Sequence, residues 1–358
     1  MKRPTIVEVA AHAGVSKATV SLVLRGSDQI PEGTKSRVRE SMVALGYVYN
    51  RRAAEMRSLR SKTLGLVVAN MRNPYFAELT QAVAGRAYSN GFTLLLGCSD
   101  DEVSRQQEIL RAMIEHRVDG IALLPATRTT SRDLESSLVQ AELAHVLIAR
   151  SVVGYGSNYV GPDNRVAGRL LGRHLGEKGA RSVAFAGGVS GTAPRRDRIA
   201  GLVEGLELTG GRLSSDLPSA RDALFEAQRE LNGVLGGAST LPDAIVGYND
   251  MYAFGVMNAL RSRGLEPGRD VMVAGFDNVP EAATQHPGLT TVDGFPQRAG
   301  AEATELLLRT LGARRQSVRV RLSLNRSCES GCRRRCTKRS PAMESCEPRN
   351  AHASRRSD

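Results

Sequence analysis

Several short apolar, β-rich runs in this chain end in polar side chains suited to gripping hydroxyl groups. The run at 64–69 is followed by Asn73 and Phe76, and the run at 146–149 by Arg150. Asp163 and Asn164 open the segment after an extended stretch at 159–162, and Arg198 lies on the helical segment after the run at 183–186. Asn249 and Asp250 follow 244–247, and Asp277 and Asn278 follow 271–275. Carboxylates, amides and guanidinium groups each place two acceptors or two donors side by side, so one side chain can bind two adjacent oxygens. The chemistry this predicts is recognition of a polyhydroxylated small molecule. For Asp163 and Asp250, helix capping is the competing account. Catalysis is not expected, because no nucleophile–base pair stands out. The run at 64–69 leads into Asn70-Met71-Arg72-Asn73 and not into the Gly-x-Gly-x-x-Gly turn of a dinucleotide site. Gly187-Gly188-Val189-Ser190-Gly191 is a glycine-rich loop after a strand, but its spacing does not fit that turn, so no cofactor is called for.

The N-terminus carries a different chemistry. Residues 1–62 hold 12 Lys/Arg against 5 Asp/Glu, residues 63–325 hold 28 of each, and the whole chain is +12. A basic head on a neutral body is the charge pattern of a nucleic-acid-binding module attached to a soluble sensor. Thr5 can cap a helix over 6–12, with Glu8 closing a capping box and Ile6, Val9 and Ala10 facing inward. Gly14 then breaks the helix, as a left-handed residue does. Ser16 caps a second helix over 17–24 with Val20, Val23 and Leu24 inside, and a third over about 32–45 turns Val38, Met42 and Leu45 inward. Helix, glycine-containing turn, helix is an arrangement that places its second helix in the DNA major groove. From the start of that helix, Lys17 can donate to guanine O6 and N7, and Ala18 can meet a thymine methyl. Thr5, Ser16, Thr19, Ser21 and Thr34 are candidate phosphate contacts, with capping or solvation as the competing account.

The body must position the strand-end residues. Its β-rich runs at 64–69, 92–97, 120–124, 146–149, 183–186, 244–247 and 271–275 alternate with amphipathic helical stretches such as 76–88 and 251–263. That alternation predicts a parallel α/β fold, in which ligands bind beyond the carboxyl ends of the strands.

The string Val9-Ala10-Ala11-His12-Ala13-Gly14-Val15-Ser16-Lys17-Ala18-Thr19-Val20-Ser21 closely resembles the signature of the lactose-repressor (LacI/GalR) family, as does Leu45-Gly46-Tyr47-Val48-Tyr49-Asn50. The likeness continues to about residue 327. It implies a small all-α helix-turn-helix head at 1–49, a hinge helix or linker at 50–62, and a bilobed effector-binding and dimerisation body at 63–327. The body would be two Rossmann-like lobes, dividing near 159–162, that resemble periplasmic sugar-binding proteins. The resemblance further implies a homodimer or higher oligomer that binds double-stranded operator DNA, acts as a repressor, and answers to a small-molecule effector, a sugar or derivative, held between the lobes.

By family position Lys17, Ala18 and Leu22 touch base edges; Leu22 departs from the polar or basic residue often found there. Asn50, Ala53 and Met56 are carried over as hinge contacts to DNA. Met56 stands where a leucine wedges into the minor groove, and an apolar, flexible side chain can still do so. The hinge is too short to be a stable helix alone and is expected to fold on DNA, with Arg51, Arg52, Arg57 and Arg60 supplying charge. Asp163, Arg198, Asn249 and Asp277 match the usual effector contacts. One departure puts the effector class in doubt: Thr290-Thr291-Val292 is followed by Asp293-Gly294-Phe295-Pro296, so the family's amide at this place is missing.

Residues 328–358 are rich in Ser, Arg and Cys without apolar periodicity and read as a disordered basic tail. Cys328, Cys332 and Cys336 do not make a recognised metal motif. Apolar runs fall far short of the roughly 20 residues that span a bilayer, so no membrane partner is expected. The opening Met1-Lys2-Arg3-Pro4-Thr5 is not an apolar signal core, and a cytoplasmic location is expected. A solute-binding protein for transport would use the same body, but the basic head and this opening argue against it.

Overall fold

The computed structural model describes residues 4–24, 26–47, 61–219 and 241–311, and the backbone of 319–322. The chain divides into two compact units, 1–61 and 62–358. Asn50, Ala53, Met56 and the tail at 328–358 lie outside the described residues.

The first unit holds α1 (Ile6–His12), α2 (Lys17–Leu24) and α3 (Glu32–Leu45). Thr5 and Glu8 form the expected capping box on α1. Gly14 takes φ +63°, and the chain bends by 105° between α1 and α2. Val9, Val20 and Val38, one from each helix, are wholly buried against one another's neighbours in a single small core. No single helix among the described residues is long and apolar enough to cross a membrane.

The second unit has two lobes. The first lobe runs β1 (Thr63–Val68), α4 (Pro74–Ser89), β2 (Thr93–Cys98), α5 (Val103–Glu115), β3 (Gly120–Leu123), α6 (Ser131–Leu134), β4 (Ala144–Ile148) and β5 (Asn158–Pro162). The chain then passes to α7 (Asn164–Glu177), β6 (Ser182–Ala186), α8 (Ala193–Glu207), β7 (Arg212–Leu217), β8 (Ala244–Gly247), α9 (Asp250–Arg261), β9 (Met272–Asp277) and β10 (Thr290–Asp293). It returns through α10 (Pro296–Thr310) and β11 (Arg319–Leu322). The sheets have orders β11-β5-β4-β3-β1-β2 and β10-β9-β8-β6-β7, parallel throughout. Central strands covered by helices on both faces read as continuous apolar runs, which is why β1, β3, β4, β6, β8 and β9 coincide with the predicted runs.

Two strands carry no such signal. β7, Arg-Leu-Ser-Ser-Asp-Leu, is a polar edge strand, exposed except at its two leucines, which are half-buried. β10 is four residues long, and two of them are threonines. The stretch at 158–162, expected as a crossover, is first a strand of the first sheet; the passage between lobes follows at Asp163.

α7 and α8 pack more closely than side chains normally allow. A Cβ on Gly168 would lie 2.2 Å from the Arg198 carbonyl oxygen, and one on Gly201 would lie 2.0 Å from that of Arg165. Only glycine permits this approach, and it brings the start of α7 against the middle of α8, where Asn164 and Arg198 stand. Gly201→Ala is expected to force the helices apart and to cost about 1–3 kcal/mol, read as a lower urea midpoint at unchanged m-value.

Candidate DNA-reading head and effector cleft

In the head, Lys17 and Ala18 are exposed at the first two positions of α2, and Leu22 is half-buried one turn further on. The backbone cap that starts α2 is Ser16, whose hydroxyl accepts the Thr19 N–H at 3.0 Å and lies 2.9 Å from Thr19 Oγ1. Thr5 Oγ1 likewise accepts the Glu8 N–H, at 3.4 Å. The caps use lone pairs, so the same hydroxyl can still donate. Ser21 and Thr34 are half-buried, Thr34 in the first turn of α3. A contact not evident from sequence ties α1 to α3: His12 Nδ1 sits 3.0 Å from Ser41 Oγ, which itself donates to the Arg37 carbonyl at 2.8 Å. Because Ser41 spends its proton on that carbonyl, His12 must be the donor between them.

In the body, three of the selected residues begin helices. Asn73 caps α4, accepting the Tyr75 N–H at 3.0 Å; Asp163 caps α7 through the Val166 N–H at 3.1 Å; Asn249 caps α9 through the Tyr252 N–H at 2.9 Å. Asn73 does more than cap. Its Nδ2 donates to Asp277 Oδ2 at 3.1 Å, joining the first lobe to the end of β9 in the second. The other oxygen of Asp277 lies 3.7 Å from Arg198 Nη2. Arg198 Nε donates to Asn164 Oδ1 at 2.9 Å, its Nη1 donates to the Tyr248 carbonyl, and its guanidinium lies 4.9 Å and 4.6 Å from the centres of the Tyr248 and Phe276 rings. Asn73, Arg198 and Asp277 therefore form one cluster. Asn164, which the sequence offers beside Asp163, belongs to it, as do Tyr248 and Phe276, which the sequence does not single out because an aromatic at a strand end reads as core.

Phe76 and Arg150 stand apart from that cluster. Phe76 is half-buried, with its ring edge-on to Tyr75 at 5.4 Å. Arg150 is committed within the first lobe: it pairs with Asp101 Oδ1 at 2.7 Å and donates to the Pro125 carbonyl at 2.5 Å. Asp250 is wholly buried and structural in its contacts, accepting the Val279 N–H at 3.0 Å and the Thr291 hydroxyl at 2.5 Å. The unusual Asp293-Gly294-Phe295-Pro296 segment makes a tight return to the first lobe. A Cβ on Gly294 would lie 2.7 Å from the Tyr75 ring, and Phe295 takes φ +52° with its N–H on Asp293 Oδ1 at 2.7 Å.

Asp277 is 7 % exposed and holds φ +113°, a region that residues other than glycine rarely adopt. Burial pushes its carboxyl up to about 6, against the opposing pull of Arg198 and Asn73 and with a small further push from Asp293. Burial, then the charge of Asp277, raises Asp250 well above the ordinary carboxylate range. A folded-state value above the unfolded one means that ionising Asp277 opposes folding. Its favourable contribution is complete below 3.8 and is lost as pH rises through about 6. Binding runs the other way, because hydroxyl groups that donate to Asp277 need the carboxylate. Effector affinity is expected to fall as pH is lowered through about 6, measured by titration calorimetry between pH 7.5 and 5; a flat profile would place the ligand away from Asp277.

Residues 5–50 match the lacI family of bacterial regulatory proteins, and residues 64–314 match a periplasmic binding protein domain. The ribose operon repressor of Halalkalibacterium halodurans is 31 % identical over 307 residues, covering 86 % of this chain and 90 % of its own. The lac repressor dimer bound to operator and the anti-inducer ONPF shares the fold, with TM-score 0.79 at 21 % identity over 90 % of this chain and 97 % of its own. The complex of the transcriptional regulator CelR with cellobiose aligns with TM-score 0.65 at 27 % identity, again over 90 % and 97 %. Helix-turn-helix head, two parallel-sheet lobes and these matches agree, and the chain belongs to the LacI family of DNA-binding transcription regulators.

Proposed function

We propose that the protein is a homodimeric repressor whose two heads dock in successive major grooves of a nearly two-fold-symmetric operator, released or recruited by a sugar or sugar derivative bound between the lobes. The observation that carries this reading is the Asn73–Asp277–Arg198 cluster: a buried carboxylate at the lobe boundary, held from both sides. A ligand that bonds to both lobes at such a place changes their relative stability in open and closed arrangements, and it can do so only by its differential affinity for the two. The relatives' names support repression and saccharide sensing: one is a ribose operon repressor, another was solved with cellobiose.

On this reading residues 1–49 are the head, 50–62 the hinge, 63–327 the sensor and 328–358 a tail. Lys17, Ala18 and Leu22 read bases; Thr5, Ser16, Thr19, Ser21 and Thr34 position the head on phosphates; Asn50, Ala53 and Met56 act from the hinge. Asn73, Phe76, Asp163, Arg198, Asn249 and Asp277 serve the effector. Arg150 serves it from behind, through Asp101 and the loop after β3.

Two measurements test the proposal. Lys17→Ala should weaken operator binding and relax preference at one base pair per half-site by about 1–3 kcal/mol. Equal losses on operator and random DNA would reduce Lys17 to a phosphate contact. Arg198→Ala and Asp277→Ala should bind operator nearly as the parent does while losing the ligand response. Loss of DNA binding in a folded variant would instead assign these residues to the dimer or the hinge.

A further inference from the structure

A cavity of about 440 Å³ opens between the loop after β3 in the first lobe and the loops after β6 and β7 in the second. Its polar lining is Thr127, Arg128, Ser190, Thr192 and Ser219, with Gly191 between Ser190 and Thr192 in the loop after β6, and no carboxylate lines it. Arg128 is exposed and has no acidic partner among the described residues. It contrasts with Arg150, Arg195 and Arg198, all of which are paired.

The loop that presents Arg128 is firmly braced. The Gln106 Oε1 accepts the Ala126 N–H at 2.6 Å and the Thr129 hydroxyl at 3.2 Å, and Asp101 accepts the Thr127 N–H at 3.0 Å. Gln106 is fully buried, and holding this loop leaves its Nε2 without an acceptor among the described residues. A buried orphan donor is costly, so the loop is fixed at the expense of the fold.

The facing wall is also electropositive. Thr192 stands at the N-cap of α8, where its hydroxyl donates to the Val189 carbonyl at 3.0 Å and no side chain caps the first-turn N–H groups of Ala193 and Arg195. Open helix N-termini attract anions. In the glycine-rich loop that leads here, Gly187 and Gly188 are explained by packing, since a Cβ on either would meet the Tyr252 or Tyr248 ring at 2.5–2.6 Å. Gly191 takes φ +79°, which glycine accommodates, and a Cβ there would meet nothing within 4 Å.

We infer that the effector is anionic: a polyol carrying a phosphoryl or carboxylate group, with the anion between Arg128 and the start of α8. This rests on the cleft reading above and names the ligand class for it. The distance is suitable. Thr192 and Arg198 are six residues apart on one helix, about 9 Å at 1.5 Å per residue, so a sugar ring held at Arg198 and Asp277 leaves its acidic substituent at the cavity. Because Arg128 comes from one lobe and α8 from the other, the anion also ties the two together.

The experiment is a titration of the full-length protein with glucose, glucose 6-phosphate, ribose, ribose 5-phosphate, gluconate and inorganic phosphate. At least one anionic sugar should bind ten-fold or more tightly than its neutral parent, and that ratio should collapse in Arg128→Gln and be largely restored in Arg128→Lys. Esters outperforming gluconate would assign the group as phosphoryl, and the reverse as carboxylate. Neutral sugars binding as tightly as their anionic forms, with sensitivity to Arg198→Ala, would overturn the anion assignment and keep the cleft. Anionic sugars that depend on Arg128 but are indifferent to Arg198→Ala would keep the anion site and overturn the cleft reading. An unchanged ratio in Arg128→Gln, or no binding by any probe, would overturn the proposal.

Discussion

The sensor body is organised around the buried carboxylate of Asp277 at the boundary between its lobes. Asp277 ends β9 in a strained backbone conformation, and its two oxygens are divided between Arg198 of its own lobe and Asn73 of the other. Removing a carboxylate from water is costly unless it is paired and hydrogen-bonded, and much of the surrounding structure serves that need. The glycine contacts of α7 and α8 hold Arg198 against Asn164. The rings of Tyr248 and Phe276 clamp the guanidinium. The cap on α4 turns the Asn73 amide towards the boundary. None of these features is expensive alone, and each is useless if the helices shift by an ångström.

If the cluster is the effector site proposed above, it illustrates how a binding site weakens the fold that carries it. A body optimised only for stability would fill this place with apolar side chains, since well-packed hydrophobic replacements of buried ion pairs are often neutral or stabilising. Asp277 instead sits where burial favours its neutral form while hydrogen-bonding ligands favour its charged one. The buried donor left on Gln106 belongs to the same pattern, with stability spent on placing a loop.

Much of this was legible in the sequence. The first helix of the head is delimited by Thr5 and Gly14 and the start of the second by Ser16, because capping and left-handed residues act locally. The central strands announced themselves by unbroken apolar runs. β7 did not, because an edge strand exposed to water has no reason to be apolar, and β10 is too short to show a period. Side-chain allegiance was the least legible part. Arg150 and Arg198 look alike as arginines near strand ends, yet one is spent on Asp101 within a lobe and the other reaches the lobe boundary. That difference depends on how loops from 30 to 80 residues away return to the same sheet edge, which no local pattern records. The Gly187–Gly191 loop was noticed and set aside for failing a dinucleotide spacing; its position beside a cavity could not be read from spacing.

Burial pushes the Asp277 carboxyl up to about 6, and this has a thermochemical corollary for the proposed cleft. A ligand that requires the carboxylate expels a proton as it binds, and the proton is taken up by whatever buffer is present. The heat observed on binding then contains the buffer's own heat of ionisation, so the apparent enthalpy differs between non-coordinating buffers of different ionisation heat while the affinity at fixed pH does not. On the proposed assignment of Asp277 to the effector, ligand uptake releases a proton and added protons weaken ligand binding.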